Sequence, residues 1–296
     1  MIKKEIIIYK NYGKCLKLSN SYINCLITID IGPRIIYYGK NENLLFEDSE
    51  DFINKERKDL TCLKDNFWHI YGGHRLWKAP EDEYTYYPDN LECEVKYNDE
   101  YVVIVSKKEF DTKLQKELWV KMNKDGSLDI KNVINRDTVS EKQAAWSLNV
   151  LKPDGIIYIP LSNKNTGYLP NRSINFWSYT DILDDRIKLN NDSIVLKIEK
   201  EDIAKEKPLK IGTFSVEKKV YYLKRDCLLE FETKVKDSEN FPDYNSNIEI
   251  YTINKMVEVE FLTKFNTVDK KIELCEKWSL YDKNSKQYEE IKNKIL

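Results

Sequence analysis

Along most of its length this chain alternates apolar and polar residues with a period of two, and no other feature restricts its fold as tightly. Successive side chains of a β-strand point to opposite faces, so each alternating run marks a strand with one buried and one polar face. Leu229-Glu230-Phe231-Glu232-Thr233-Lys234-Val235-Lys236 has one apolar or small face and one fully charged face, and residues 256–261 and 127–133 alternate likewise. Comparable runs recur near 14–19, 22–31, 92–97, 101–107, 114–122, 143–151, 155–160, 193–198, 219–224, 247–252 and 272–280. Turn sequences such as Lys124-Asp125-Gly126 and Pro153-Asp154-Gly155 stand between them, which predicts antiparallel hairpins closing into a sandwich or barrel. Helical signals are few: a charged stretch over 47–60, read as a short helix or surface loop, and a Lys/Glu-rich tail over 284–296, read as a terminal helix. No linker or repeat of 20–50 residues divides the 296 residues, so the expectation is an all-β, single domain spanning 1–296.

Charge and cysteine content narrow the function. The formal net charge is −2 and the lysines are spread among Asp and Glu, which argues against nucleic acid and against an anionic membrane surface as partners. Six cysteines occur without a Cys-x-x-Cys pair or histidines at zinc spacing, and the chain has two histidines, so no metal and no cofactor are expected. The opening residues lead into three isoleucines, too few for a signal-peptide core, and no run reaches transmembrane length; a cytoplasmic protein, a monomer or weak homodimer, is expected. Tyrosine is abundant, at 20 residues. Most of these rings suit strands, and a flat ring with a polar edge also suits the face of a sugar.

Two stretches interrupt the alternation, and long loops rich in aromatic and charged residues are where a rigid β scaffold carries its site. Residues 67–90 hold both histidines, and within them runs Tyr71-Gly72-Gly73-His74-Arg75-Leu76-Trp77-Lys78-Ala79-Pro80-Glu81. A rigid turn anchored by Trp77 and a binding site using His74, Arg75, Trp77 and Glu81 are about equally compatible with that composition. Residues 165–186 form the second stretch, with Tyr168, Pro170, Trp177, Tyr179, Asp181, Asp184, Asp185 and Arg186. Trp177, Asp185 and Arg186 suit a polyol; an Asp–Arg pair that merely ties down the loop fits slightly better. Glu258 and Glu260 share one face of a strand. By pattern that face is solvent, but inside a cleft either carboxylate would serve as a general base toward a hydroxyl.

Taken in order, Gly32-Pro33-Arg34-Ile35-Ile36, Asn43-Leu44-Leu45, the Gly72–Glu81 segment, Ala145-Trp146-Ser147-Leu148, Trp177-Ser178-Tyr179 with Asp185-Arg186, Phe241-Pro242-Asp243, Glu249-Ile250-Tyr251-Thr252, Val257-Glu258-Val259-Glu260 and Glu276-Lys277-Trp278 resemble an uncharacterised branch of the galactose mutarotase-like (aldose 1-epimerase-like) superfamily. The resemblance implies a β-supersandwich, two large antiparallel sheets face to face with few short helices and a carbohydrate cleft on one sheet. It also implies ring opening by general acid–base catalysis. By position it assigns the base to Glu260, with Glu258 as the neighbouring choice, and an earlier histidine to His74 with Arg75 beside it. The central acid histidine of such enzymes has no counterpart, because the strand that would hold it reads Ala144-Ala145-Trp146-Ser147-Leu148.

Two readings follow, both with a small-molecule carbohydrate as partner. One is an aldose 1-epimerase-like isomerase with Glu260 as base and His74, or a residue of 181–186, as acid. The other is a non-catalytic carbohydrate-binding protein with Trp77, Trp146 and Trp177 as stacking surfaces. A polysaccharide lyase or hydrolase is a more remote third reading, since a fold does not select its chemistry.

Overall fold

The computed structural model describes residues 2–295 apart from 48–52, 64–65, 140–141, 164, 166, 168, 170, 199–206, 236–239 and 254; Tyr168 and Pro170 thus lie outside the described residues. Nearly every alternating run is a strand. In Gln115–Met122, Lys116, Leu118, Val120 and Met122 are buried while their neighbours are partly exposed. The strands assemble into two antiparallel sheets of ten strands each and one two-stranded ribbon. The expected β-supersandwich is therefore the observed architecture. Among the described residues helix is scarce. The tail forms Lys286–Ile295, whose Tyr288, Ile291 and Ile295 share one face and pack on Tyr158, Tyr221 and Leu228, as the spacing of an amphipathic helix requires. The 47–60 stretch departs from expectation: Ile53–Glu56 is a strand paired to Phe67–Ile70, because ladder partners override the weak local preference of a charged sequence.

At the centre of the first sheet the strands run Ile35–Gly39, His74–Ala79, Ala144–Leu151, Val257–Leu262, Ile248–Thr252 and Leu209–Thr213. Its inner face carries Leu76, Ala145, Leu151, Ile248, Ile250, Val257, Val259 and Phe261. The second sheet answers with Leu118, Val120, Ile130, Ile134, Leu274 and Trp278. The paired glycines before His74 have a packing explanation. Gly73 has φ +70° and a Cβ there would lie 2.2 Å from the Ile35 carbonyl oxygen, so only glycine lets the two strands meet.

One polar cluster crosses this apolar interior. His74 and Asn149 face each other across adjacent strands, and His74 Nδ1 lies 2.7 Å from Asn149 Oδ1. From the opposite sheet Asn132 Oδ1 lies 2.9 Å from His74 Nε2. Both amides then donate to Glu276, Asn132 Nδ2 to Oε1 at 2.9 Å and Asn149 Nδ2 to Oε2 at 3.1 Å. Trp278 Nε1 also donates to Glu276 Oε2, at 3.2 Å. All five side chains are buried, which is tolerable only because each polar atom of the cluster meets a partner.

Candidate functional site

The outer face of the first sheet follows from the same alternation. On Ala144–Leu151 the residues pointing away from the core are Ala144, Trp146, Leu148 and Val150. Register sets Trp77 opposite Trp146 and Arg75 opposite Leu148. It then sets Glu260 opposite Leu148 and Glu258 opposite Val150, Glu249 opposite Glu260 and Tyr251 opposite Glu258, and Lys210 opposite Tyr251. Side chains from five adjacent strands thus share one surface, which loops wall in to leave a cleft of about 440 Å³. Its lining includes Arg57, Trp68, Arg75, Trp77, Glu81, Tyr86, Trp146, Trp177, Tyr179, Lys210, Tyr251, Glu258 and Glu260. Aromatic walls with a few convergent polar groups are the usual form of a small-molecule site.

Glu260 is the most constrained polar group of the cleft, with 1% of its surface exposed. Trp146 Nε1 donates to its Oε2 at 2.7 Å, and Lys210 Nζ donates to the same oxygen at 2.8 Å. Its Oε1 is buried and has no hydrogen-bond partner, so one acceptor of a fixed carboxylate is unsatisfied. Lys210 Nζ also lies 2.8 Å from Glu249 Oε2, an ion-pair contact without the alignment of a hydrogen bond. The ammonium sits near the Trp146 and Trp177 rings, 4.6 and 4.7 Å from their centroids. Burial works against the Lys210 charge, but Glu260 and Glu249 outweigh it and hold the ammonium well above the ordinary lysine range. Glu249 is fully buried. Burial, only partly offset by Lys210 and reinforced by Glu260, pushes its carboxyl well above the usual carboxylate range. One ammonium cannot balance two buried carboxylates.

The opposite end of the cleft is built on Arg75, which is 3% exposed. Its guanidinium stacks near the Trp77 and Trp68 rings, 4.0 and 5.1 Å from their centroids. Its Nε has no hydrogen-bond partner. Burial first, and then the charge of Arg34, lowers Arg75 to about 10, still protonated at neutral pH. Arg57 reaches the same region over the Tyr86 ring, 4.8 Å from its centroid, while held by Asp59 at 2.8 Å. Tyr86 in turn donates to Glu81.

Of the residues singled out in the sequence, Glu258, Glu260, Arg75, Trp77, Glu81, Trp146 and Trp177 line this one cleft. Three do not. His74 needs correction as an acid or substrate contact: being adjacent to Arg75 on a strand, it points the other way, into the closed inter-sheet cluster, with no exposed surface. Arg186 is likewise corrected. It is buried and forks onto Asp184, Nε to Oδ1 at 2.9 Å and Nη2 to Oδ2 at 2.8 Å, and these bonds hold the Asp184 carboxyl down at about 2. Asp185 is exposed beside that pair and does not line the cleft. This loop is tied by an internal pair, the alternative weighed for it. Sequence reasoning missed Lys210 and Glu249. In Leu209-Lys210-Ile211-Gly212-Thr213 a lone outward lysine carries the signature of a solvated edge, and only the loop bearing Trp177 turns that face into a site.

A larger cavity of about 580 Å³ lies elsewhere, among Tyr22, Lys40, Glu42, Asp125, Asp226 and Tyr281. Its charges are already engaged at the surface, as in Lys40–Asp282 at 3.4 Å and Lys283–Asp226 at 3.0 Å, so the smaller cleft is the better candidate. Among the described residues no group of His, Cys, Asp and Glu could hold a metal ion, and no helix is long and apolar enough to cross a membrane.

No family model matches the chain, and no curated protein matches its sequence. Solved structures do match its shape. A TPR-domain containing protein from Parabacteroides distasonis superposes with a TM-score of 0.59 at 12% identity over 90% of this chain, which spans 47% of that protein. A candidate aldose 1-epimerase from Klebsiella pneumoniae matches over 99% of this chain and 86% of its own, with a TM-score of 0.58 and 10% identity. Galactose 1-epimerase from Lactobacillus acidophilus matches over 95% of this chain and 99% of its own, with a TM-score of 0.52 and 8% identity. At such identities the likeness speaks for the fold and leaves chemistry to the residues, and the two-sheet sandwich of this chain is similar in fold to those of the two epimerases.

Proposed function

We propose that the cleft binds a sugar and exchanges its anomers by general acid–base catalysis. The observation that carries this reading is the unpaired Oε1 of Glu260, a buried carboxylate oxygen of a residue lining an aromatic cleft, while two donors hold its partner oxygen. A sugar hydroxyl would complete the set, and in a mutarotation Glu260 would take the anomeric proton as the C1–O5 bond opens. The ring oxygen must gain a proton in the same event. Lys210 is a poor donor, because the buried Glu260 carboxylate holds its proton. Glu258, two residues along the same strand face and about 7 Å away by strand rise, is the carboxyl assigned that task. Trp146 and Trp177 would cover the sugar's C–H faces.

Exchange between the α and β signals of a panel of aldoses, followed by NMR, tests this. Catalysed exchange is expected for at least one sugar, with a loss of at least about 100-fold in Glu260→Gln, the scale of a lost general base. A second reading, sugar binding without turnover, is favoured by the withdrawal of His74 from the cleft. It takes over if sugars shift tryptophan fluorescence while exchange stays at the spontaneous rate.

A further inference from the structure

Arg75 stands out among the buried charges of this molecule. Arg34, Lys116, Arg186 and Lys210 are each buried against a carboxylate, at 2.6, 2.9, 2.8 and 2.8 Å. Arg75 is as deeply buried, yet among the described residues it forms no ion pair, and its Nε lacks any acceptor. Its flat faces are covered by Trp68 and Trp77, so its free capacity lies in the guanidinium edge, within the cleft. A buried cation without a partner is costly in a finished interior. In a binding site it is an unfilled half of an ion pair, and the planar fork matches carboxylate and phosphate oxygens.

The nearby charges leave that half open. Arg34, whose field falls on Arg75, already has Asp89 at 2.6 Å. Glu81 accepts from Tyr86, and Arg57, held by Asp59, adds a second positive group to this end. The charge of Glu258 acts on Arg75 from the same sheet face, but its strand is two removed from that of Arg75. Arg75 and Glu260 flank Leu148 on either side, which separates their backbones by two interstrand steps, about 10 Å. One sugar ring with an exocyclic substituent spans that gap.

We infer that the cleft selects a monosaccharide bearing an anionic group, a carboxylate or a phosphate, which pairs with the Arg75 guanidinium while a ring hydroxyl meets Glu260 Oε1. This rests on the sugar-cleft reading above and narrows it to acidic sugars. The two oxyanion sources share the fork chemistry and are separated by the ligands used.

The test is calorimetric titration of the full chain with glucose and galactose, with glucuronate and galacturonate, and with glucose 6-phosphate and galactose 6-phosphate. At least one acidic series is expected to bind about tenfold or more tightly than its neutral parents; which one identifies the oxyanion. In Arg75→Met that advantage is expected to fall to about twofold or less, with Arg75→Gln replacing it should the first variant not fold. Neutral sugars binding as tightly as acidic ones in the unmodified protein would overturn the inference and leave the sugar cleft standing. Binding of none of the six would overturn both. An advantage that survives in a folded Arg75 variant would also overturn it, since another cation would then hold the anion.

Discussion

Replacing Glu249 by Gln tests the electrostatics of the cleft floor without touching its surface. In the folded protein, burial and the neighbouring Glu260 keep the Glu249 carboxyl protonated far above its ordinary value of 4.5. In the unfolded chain it ionises near that ordinary value. Above about pH 4.5, folding therefore takes up one proton, and the stability contributed by this group is present at low pH and lost as pH rises toward the folded-state value. A full proton of difference corresponds to about 1.4 kcal/mol per pH unit. Between pH 5.5 and 7.5 the native protein should thus lose stability at this one site, at a rate no steeper than that slope. Glu249→Gln keeps the shape and has no proton to bind, so its stability relative to the native protein should climb over the same interval. Urea unfolding followed by tryptophan fluorescence at closely spaced pH values gives the difference curve, in which every other titrating group cancels. Parallel curves would refute the protonated carboxyl. A difference that is flat in this interval and falls with pH only below about 4.5 would show instead that Glu249 is ionised and stabilised by Lys210.

Two further substitutions separate support from site. Glu276→Leu leaves the amide donors of Asn132 and Asn149 and the Trp278 N–H without an acceptor; at about 1 kcal/mol or more for each stranded donor, a loss of at least about 3 kcal/mol is expected in thermal unfolding. Asp184→Asn should flatten the acid limb of stability between about pH 5 and pH 2, because the depressed carboxyl contributes above its ordinary value and loses up to about 2 kcal/mol as pH falls through its folded value. The same variant should bind sugars unchanged, and a loss of binding would return the 181–186 loop to the site.

The strands were legible because period-two alternation follows from backbone geometry alone, and a one-sided burial pattern leaves its mark on every second residue. The short strands Ile174–Phe176 and Ile187–Leu189 are too brief to show a period. Residues 53–56 were obscured by their charge, since pairing there depends on Phe67–Ile70, a partner that local sequence does not display. In the site, side chains of unusual type were legible by composition: Trp77, Trp146, Trp177, Arg75 and the Glu258/Glu260 pair all reach the cleft. Orientation was harder. His74 and Arg75 are neighbours in sequence, and a shift of one residue in the assumed pleat exchanges core for cleft. Lys210 and Glu249 were hidden for the converse reason, as outward polar residues look alike whether water or a tryptophan-bearing loop covers them.

The buried cluster of His74, Asn149, Asn132 and Glu276 bears on how the two sheets find their mutual alignment. Apolar side chains between sheets interchange with little penalty, so a purely aliphatic interface tolerates sliding. Here hydrogen bonds cross the gap at one point, joining the strands His74–Ala79 and Ala144–Leu151 to Leu128–Asn135 and Lys271–Asp282. Displacing one sheet by a single pleat would set these polar groups against the aliphatic residues that flank them, such as Ile130 and Leu274. The cluster therefore works as a locating pin. It fixes where the floor of the cleft lies over the sheet behind it, and a histidine that never meets a ligand still determines where Arg75, its neighbour on the strand, is presented.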